Sequence, residues 1–205
     1  TGASPIIAEV AKAMGILTVA IVTKPFSFEG PLKKNNAAIG INNLQESVDT
    51  LIAIPNDKLF EIPGMNISLM NAFKEANGVL KMGIKGISDL IIKQGTVNLD
   101  FADVKSIMQN SGIAMLGFGE ANGDEKAKSA TTQALSSPLL EKSIEGAKKI
   151  LLNITAGPDI GLQEIQEIAE TVSKQAGQSK ANLLWGFIME PELEGTISVS
   201  LVATD

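Results

Sequence analysis

Residues 16–30 read ILTVAIVTKPFSFEG, and this stretch decides how the first third of the chain folds. Residues 16–22 are almost continuously apolar, which is typical of a strand buried on both faces within a parallel sheet. Polar and aromatic residues from Thr23 to Gly30 then form a loop at the carboxyl end of that strand. Because ligands of parallel α/β sheets bind at this end of the strands, the loop is a candidate binding segment.

Helix and strand patterns alternate around this stretch. A helix is predicted over residues 4–15 and a second one over about 32–46. A second apolar strand, residues 50–54, is followed by a turn at Asn56–Asp57. The alternation predicts the α/β class, with part of a doubly wound parallel sheet. Since two strands do not make a stable sheet of this kind, we expect further strands to precede Thr1.

The pattern changes after a long predicted helix over about residues 68–92, which ends at Gly95. Helices and strands that follow it predict a compact α+β domain. We therefore expect three parts, with the long helix as the connector: residues 1–66, 67–94 and 95–205.

Two late strands are predicted in the last part, over residues 183–189 and 196–202, with residues 191–195 as their hairpin connection. The final strand alternates apolar and hydroxyl side chains, which predicts that one of its faces is exposed. The glycine-rich segment Gly117–Gly123 lacks the spacing of a dinucleotide-binding loop, so a plain strand-to-helix turn is predicted there.

Composition excludes several chemistries. The 205 residues contain no Cys, no His and no Arg. Disulfides, thiolate nucleophiles, Cys/His zinc sites, histidine bases and an arginine finger are therefore excluded, which leaves carboxylates, hydroxyls, amides, Lys and backbone groups. The net charge of −6 disfavours nucleic acid as a partner. No apolar run is long enough to span a bilayer, so we expect no direct membrane insertion and a cytoplasmic protein.

Two residue pairs are candidates for function, and each has a structural alternative. Asp100 and Asp103 have capping-box spacing at the start of a helix, where they either cap it or polarise a water or hold a cation. Phe101 is expected to turn to the core beside them. Phe73 and Asn77 share a face of the long helix, where they either join the core or contact a flat base by stacking and by an amide hydrogen bond.

Taken together, several stretches resemble FtsZ, the family of bacterial tubulin-like cell-division GTPases. The resemblance runs in order along essentially the whole chain. It rests on residues 1–5 (TGASP), 23–30 (TKPFSFEG), 54–59 (IPNDKL), 86–91 (GISDLI), 98–104 (NLDFADV), 136–141 (SSPLLE) and 152–157 (LNITAG).

The resemblance implies a fold of the tubulin/FtsZ type and a site for GTP or GDP. Glu29 corresponds to the glutamate that binds the ribose, with Thr23 and Pro25 on the sugar side. Lys33 stands where the family usually has arginine, so it keeps the charge on the phosphate side but loses the bidentate fork.

The base end of the implied site comes from three further positions. Asn56 corresponds to the asparagine that reaches the guanine. Phe73 corresponds to the aromatic residue stacked on the base, and Asn77 to the residue at its edge.

The resemblance also implies where hydrolysis occurs. Asp100 and Asp103, with Asn98, correspond to a catalytic loop that enters the nucleotide pocket of the next subunit in a head-to-tail filament. The chain is then its own partner, and Mg²⁺ or a monovalent cation accompanies the nucleotide, with no metal ligand assigned in this chain. A cleft near Gly86, Val97 and Asn153 is where the family binds small inhibitors.

Two further expectations concern segments outside these residues. The family's glycine-rich phosphate loop precedes Thr1, so we expect this piece alone to bind GTP weakly or not at all and to hydrolyse none. Division-associated proteins would be bound through a tail after Asp205, and the whole protein would lie in the mid-cell division ring. The alternative function is that of a non-catalytic interaction module that caps filaments.

Overall fold

The computed structural model describes residues 2–61, 68, 70–93, 97, 99–137, 139–140, 143–177 and 182–204. The helices are α1 (Ser4–Ala13), α2 (Pro31–Ser47), α3 (Ala72–Ile92), α4 (Phe101–Met108), α5 (Lys126–Leu135) and α6 (Leu162–Gln175). The strands are β1 (Val19–Lys24), β2 (Thr50–Pro55), β3 (Gly112–Asn122), β4 (Lys149–Ala156), β5 (Asn182–Met189) and β6 (Thr196–Thr204). Short 3₁₀ helices span Ser27–Glu29, Asn56–Glu61 and Pro191–Leu193.

The six strands form one mixed sheet in the order β1-β2-β3-β6-β4-β5. Strand β6 is antiparallel to both of its neighbours, β3 and β4, whereas the other paired strands are parallel. Helices cover both faces, with α5 and α6 on one and α3 and α4 on the other. The predicted α/β class is therefore confirmed. The three-part division of the chain stays a prediction.

The predicted hairpin between the last two strands is wrong. Strand β5 pairs with β4, and β6 inserts on the other side of β4 and pairs with β3 as well. The connection instead passes the end of β4, where the Glu190 N–H donates to the Ala156 carbonyl at 2.9 Å. In this central position β6 is covered on both faces, so the predicted exposed face is wrong too: Ser200 and Thr204 are buried.

Gly117 and Gly119 lie within β3, not in the predicted turn, which occurs at Gly123 with φ +88°. Helix α5 lies so close to the strand here that a Cβ on Gly119 would be 2.1 Å from the Ala130 carbonyl oxygen. A Cβ on Gly117 would be 2.4 Å from the Ala134 carbonyl oxygen. These glycines are thus required by the close approach of helix and sheet.

Asp49 joins the amino ends of the first three strands. Its carboxylate accepts the Thr18 N–H at 2.9 Å and the Asn110 N–H at 3.3 Å, and its carbonyl accepts the Gly112 N–H at 3.0 Å. The side chain is buried, so these bonds replace the water that the carboxylate gives up. The residue fixes the point at which β3 begins to pair with β2.

Helix α3 crosses the sheet diagonally. It starts near the carboxyl end of β1, where the Phe73 ring contacts the Phe26 ring. Its middle packs on β3 and β1, since a Cβ on Gly83 would be 2.9 Å from the Leu116 Cδ2 and 3.7 Å from the Ile21 Cδ1. The helix ends with Lys93, which forms ion pairs with Asp89 at 3.0 Å and, by a close contact, with Glu190 after β5.

We predict that Gly119→Ala lowers the free energy of unfolding by about 3 kcal/mol, because the added methyl group forces α5 away from β3. The matched control is Gly78→Ala on α3, where a Cβ meets nothing within 4 Å. That change should raise stability by about 0.5–1 kcal/mol through helix propensity. Urea unfolding followed by circular dichroism measures both, and equal effects of the two substitutions would contradict the packing argument.

Candidate functional site

The carboxyl ends of β1 and β2 bring two segments side by side. Thr23 is paired with Ile54 and Lys24 with Pro55, so the loop that follows β1 and the 3₁₀ helix that starts at Asn56 leave the sheet together. This is the sheet edge at which the sequence predicted a ligand. Thr23 is partly buried at the end of β1.

The loop after β1 is held by its own hydrogen bonds. Glu29 Oε1 accepts the Phe26 N–H at 2.9 Å, and the Glu29 N–H donates to the Phe26 carbonyl at 3.1 Å. Pro25 and Glu29 are both partly buried. The bond to Phe26 uses Oε1, and the second carboxylate oxygen of Glu29 takes no part in it.

Four phenylalanine rings form a cluster at this edge. Phe26 is fully buried, and its ring stacks on Phe28 with centroids 4.9 Å apart. Its centroid also lies 5.5 Å from that of Phe60 and 5.7 Å from that of Phe73, the latter edge-on at 86°. Phe28, Phe60 and Phe73 are each about half exposed. The cluster thus presents aromatic surface on which a flat ring can stack.

Asn56 has an unsatisfied acceptor. Its side chain is 5% exposed, and Oδ1 has no hydrogen-bond partner in the part of the chain that the structure describes. A buried amide oxygen without a partner costs about 1–3 kcal/mol, so a ligand N–H that donates to it is strongly favoured.

Of the remaining residues that the sequence predicted for nucleotide binding, two lie on α3 and one lies on α2. Phe73 and Asn77 are both exposed on the same side of α3, next to the phenylalanine cluster. Lys33 is exposed in the first turn of α2, directly after the Glu29 loop. The structure therefore brings Thr23, Pro25, Glu29, Lys33, Asn56, Phe73 and Asn77 to one end of the molecule.

Asp57 was missed by the sequence reasoning, although it follows Asn56 directly. Its carboxylate accepts hydrogen bonds from the Ser27 hydroxyl and from the Ser27 N–H, the latter at 2.8 Å. These bonds lower the pKa of Asp57, and Lys34 lowers it further. The sequence held one signal for this contact: Asp57 follows a predicted strand, and Ser27, which carries a hydroxyl group, follows the strand predicted before it.

The carboxylates that the sequence singled out lie at the start of α4. Asp100 caps this helix, as predicted, because its Oδ1 accepts the Asp103 N–H at 2.8 Å. Asp100 is exposed and Asp103 is partly buried. The core expectation for Phe101 is wrong, since its side chain is 51% exposed, because α4 buries only its other face. Asn98 lies outside the described residues.

The length of α3 separates these carboxylates from the loops. Phe101, next to Asp100, lines a groove together with Ile87 and Ile91 near the end of α3. Phe73 lies at the start of the same helix. At 1.5 Å per residue, Phe73 and Ile91 are about 27 Å apart along the helix axis. The two sets of residues therefore lie near opposite ends of α3.

A smaller cavity of about 180 Å³ lies between α3 and the sheet. Gly86 and Asn153 both line it, whereas Val97 pairs with Phe187 of β5 and is not among the lining residues. Asn153 is buried, and its Oδ1 also lacks a partner among the residues that the structure describes. Hydrogen bonding to Lys93 lowers the pKa of Glu190 at the rim of this cavity, and Glu190 together with Asp89 raises the pKa of Lys93.

No group of three or more carboxylates suitable for a metal ion occurs among the described residues, and the sequence has no His or Cys. Among these residues we therefore assign no ligand to a cation that would accompany a nucleotide. Within the same residues, no helix is long and apolar enough to cross a membrane.

We predict that the ion pair between Lys93 and Glu190 stabilises the fold only within a pH window. The pKa of Glu190 is lowered on folding, so its contribution is present above the unfolded value of about 4.3 and is lost as the pH falls through the folded value. The pKa of Lys93 is raised, so the contribution also disappears above about pH 10.5. Since the side chains are 24% and 35% exposed, we expect Glu190→Gln to cost about 0.5–1 kcal/mol near pH 7.

Urea unfolding of the wild-type protein and of Glu190→Gln at a series of pH values measures this difference. An exposed acid, Glu167→Gln on α6, is the control with no expected effect. A destabilisation by Glu190→Gln that persisted unchanged at pH 3 would contradict the prediction.

Two family models match the chain. Residues 1–64 match the GTPase domain of the Tubulin/FtsZ family, and residues 112–205 match the C-terminal domain of the FtsZ family. The second match covers β3, α5, β4, α6, β5 and β6.

Solved structures agree with this match. An FtsZ dimer from M. jannaschii, described as empty, is 43% identical with a TM-score of 0.92, and the match covers 100% of this chain and 59% of that one. A mutant FtsZ from M. jannaschii is 44% identical with a TM-score of 0.93, covering 100% of this chain and 61% of that one. CetZ1 from Haloferax volcanii, a GDP-bound monomer, is 18% identical with a TM-score of 0.76 over 97% of this chain and 58% of its own, and so shares the fold. The chain therefore spans about three fifths of the length of the FtsZ structures it matches, and it belongs to the FtsZ family.

Proposed function

We propose that the protein to which this chain belongs is a GTP-dependent, self-polymerising cytoskeletal protein of bacterial cell division, in which GTP is hydrolysed between successive subunits. The nucleotide lies at the carboxyl ends of β1 and β2. The acidic start of α4 reaches it from the neighbouring subunit in a head-to-tail filament.

The observation that carries the proposal is the buried Asn56 Oδ1, which has no partner among the described residues and lies at the same end of the sheet as the exposed Phe73 ring. A guanine base offers N–H donors at its edge and a flat face for stacking, so it satisfies Asn56 and Phe73 at once. Asn77 lies on the same side of α3 and adds an amide at the edge of the base. Glu29 accepts from a ribose hydroxyl group, with Thr23 and Pro25 on the sugar side.

The distance along α3 supports hydrolysis by two chains rather than one. Asp100 and Asp103 of one subunit, with Asn98, orient and polarise the water that attacks the terminal phosphate bound by the next subunit. Lys33 carries positive charge on the phosphate side. Because the described residues supply no metal centre, we assign no step to the Mg²⁺ or monovalent cation that the resemblance implies.

A contact that joins one end of a molecule to the other end of its neighbour produces a filament when the repeated rotation does not close into a ring, and we propose this open arrangement. The partner is therefore a second copy of the protein. We further propose a cytoplasmic protein at the mid-cell ring, with division-associated proteins bound through a tail and no direct contact with nucleic acid.

Mixing two inactive variants of the full-length protein tests this arrangement. One variant carries Asn56→Ala and Phe73→Ala at the nucleotide end. The other carries Asp100→Asn and Asp103→Asn, where asparagine removes the charge but keeps the helix cap. We expect each variant alone to be inactive and an equal mixture to recover about a quarter of the wild-type GTPase activity, because that share of random interfaces joins two intact halves.

The control is a mixture in which one partner carries all four substitutions, and it should stay inactive. Phosphate release together with sedimentation of filaments gives activity and assembly in one experiment. Filaments that contain both variants but release no phosphate would refute hydrolysis across the interface.

The cavity between α3 and the sheet is proposed as a separate site for small inhibitors, near Gly86, Val97 and Asn153. Asn153 lines this cavity and its Oδ1 has no partner among the described residues, which favours a ligand that donates an N–H to it. A Cβ on Gly86 would already be 3.0 Å from the Ser200 Oγ, so a larger side chain fills the cavity.

We predict that Gly86→Leu abolishes binding of an aromatic amide probe at this cavity, whereas Gly78→Leu, in an open position of the same helix, leaves binding unchanged. Saturation-transfer NMR with the probe measures both. Undiminished binding by Gly86→Leu would remove this site from the proposal.

A further inference from the structure

Three polar side chains from three elements meet beside the candidate nucleotide site. Asp57 accepts the Ser27 N–H at 2.8 Å through Oδ1 and, by a close contact, the Ser27 hydroxyl through Oδ2. Lys34 Nζ donates to the Ser27 Oγ at 2.8 Å and lies 3.9 Å from the Asp57 Oδ2. Ser27 belongs to the loop after β1, Lys34 to α2 and Asp57 to the 3₁₀ helix after β2. We call this group the Ser27–Asp57–Lys34 latch.

The latch adds a second carboxylate to the hydrogen bonding of the loop backbone. The Phe26 N–H is bound by Glu29 from within the loop, and the next N–H, that of Ser27, is bound by Asp57 from outside it. Two consecutive peptide groups are thus fixed by two different carboxylates. The loop cannot shift relative to β2 without breaking the second of these bonds.

Both nucleotide-binding segments are attached to this latch. Asn56 directly precedes Asp57. Ser27 and Glu29 are the first and last residues of the 3₁₀ helix in the loop after β1. The contact between Ser27 and Asp57 therefore sets the distance between the residue proposed to reach the base and the residue proposed to bind the ribose. A nucleoside has a fixed spacing between base and sugar, so binding is tightest when the two segments are already held at that spacing.

We propose that Ser27, Asp57 and Lys34 are positioning residues for guanine-nucleotide binding: they hold the Glu29 loop and the Asn56 segment in the register that a base and its attached ribose require. This inference rests on the proposed function of the site. None of the three side chains contacts the nucleotide in this arrangement, so their effect is on its affinity and not on the chemical step.

Exposure distinguishes this role from general stabilisation. The side chains of Lys34 and Asp57 are 49% and 43% exposed, and Ser27 is exposed as well. Loss of such contacts changes global stability little, because water replaces them in both the folded and the unfolded state. The variants lose the alignment of the Glu29 loop with the Asn56 segment. A ligand then has to restore this alignment at the expense of its binding free energy.

Hydrogen exchange of the chain tests the structural half of the inference. We expect Ser27→Ala and Asp57→Asn to speed amide exchange within residues 23–30 and to leave exchange in β4 and β6 unchanged. Ser27→Thr keeps the hydroxyl group and should restore slow exchange. Lys58→Met, which breaks only the neighbouring ion pair between Lys58 and Glu61 at 2.9 Å, is the matched control with no expected change.

Steady-state kinetics of the full-length protein test the functional half. We expect Ser27→Ala and Asp57→Asn to raise the KM for GTP about three- to tenfold, the range that follows from losing one or two hydrogen bonds, with kcat unchanged. Ser27→Thr and Lys58→Met should keep the wild-type KM.

Unchanged exchange within residues 23–30 in both variants would overturn the inference. So would faster exchange accompanied by a wild-type KM, or a fall in kcat with KM unchanged, because a positioning role acts through affinity. If the wild-type full-length protein bound no guanine nucleotide, the proposed function would fail and this inference with it. If the wild type bound GTP and the variants had the same KM, only this inference would fail.

Discussion

The length of α3 is the constraint on which the rest of the account depends. The helix starts beside the phenylalanine cluster and ends beside α4, and its 21 residues keep these ends about 30 Å apart. Packing against Ile21 and Leu116 near its centre holds it in place on the sheet. A rigid spacer of this kind gives the molecule two different ends. In the arrangement we propose, the loops of one end and the carboxylates of the other meet between two molecules.

The site at the first end follows from the parallel pairing of β1 and β2. Parallel strands in register end at the same side of the sheet, so the segment that contains Glu29 and the one that starts at Asn56 lie side by side although they are far apart in sequence. The amide oxygen of Asn56 is buried and no described residue donates a hydrogen bond to it, so it favours a donor from a ligand. At the amino ends of the strands, Asp49 accepts hydrogen bonds from backbone N–H groups at the start of β1 and of β3. The proposed binding residues therefore lie at the carboxyl ends of these strands, and the hydrogen bonds of Asp49 lie at their amino ends.

Local patterns predicted the elements well, because apolar runs and caps act within a few residues. The Asp100 cap and the buried strand β2 are examples. Partner choice was not predictable in this way: β5 and β6 carry apolar faces that fit either neighbour, and the sheet places β4 between them. Gly117 and Gly119 were misread because the need for them comes from the close packing of α5 on β3, and no local sequence pattern encodes that approach. The contact between Ser27 and Asp57 was invisible for the same reason.

The dependence of GTP turnover on protein concentration tests the central claim most directly. If each reaction needs the acidic end of a second molecule, the rate per subunit of the full-length protein should approach zero at concentrations too low for subunits to associate, although bound fluorescent GTP remains detectable. It should rise steeply once subunits pair. A rate per subunit that stays constant on dilution into the monomeric range would show that one molecule suffices and would contradict the account.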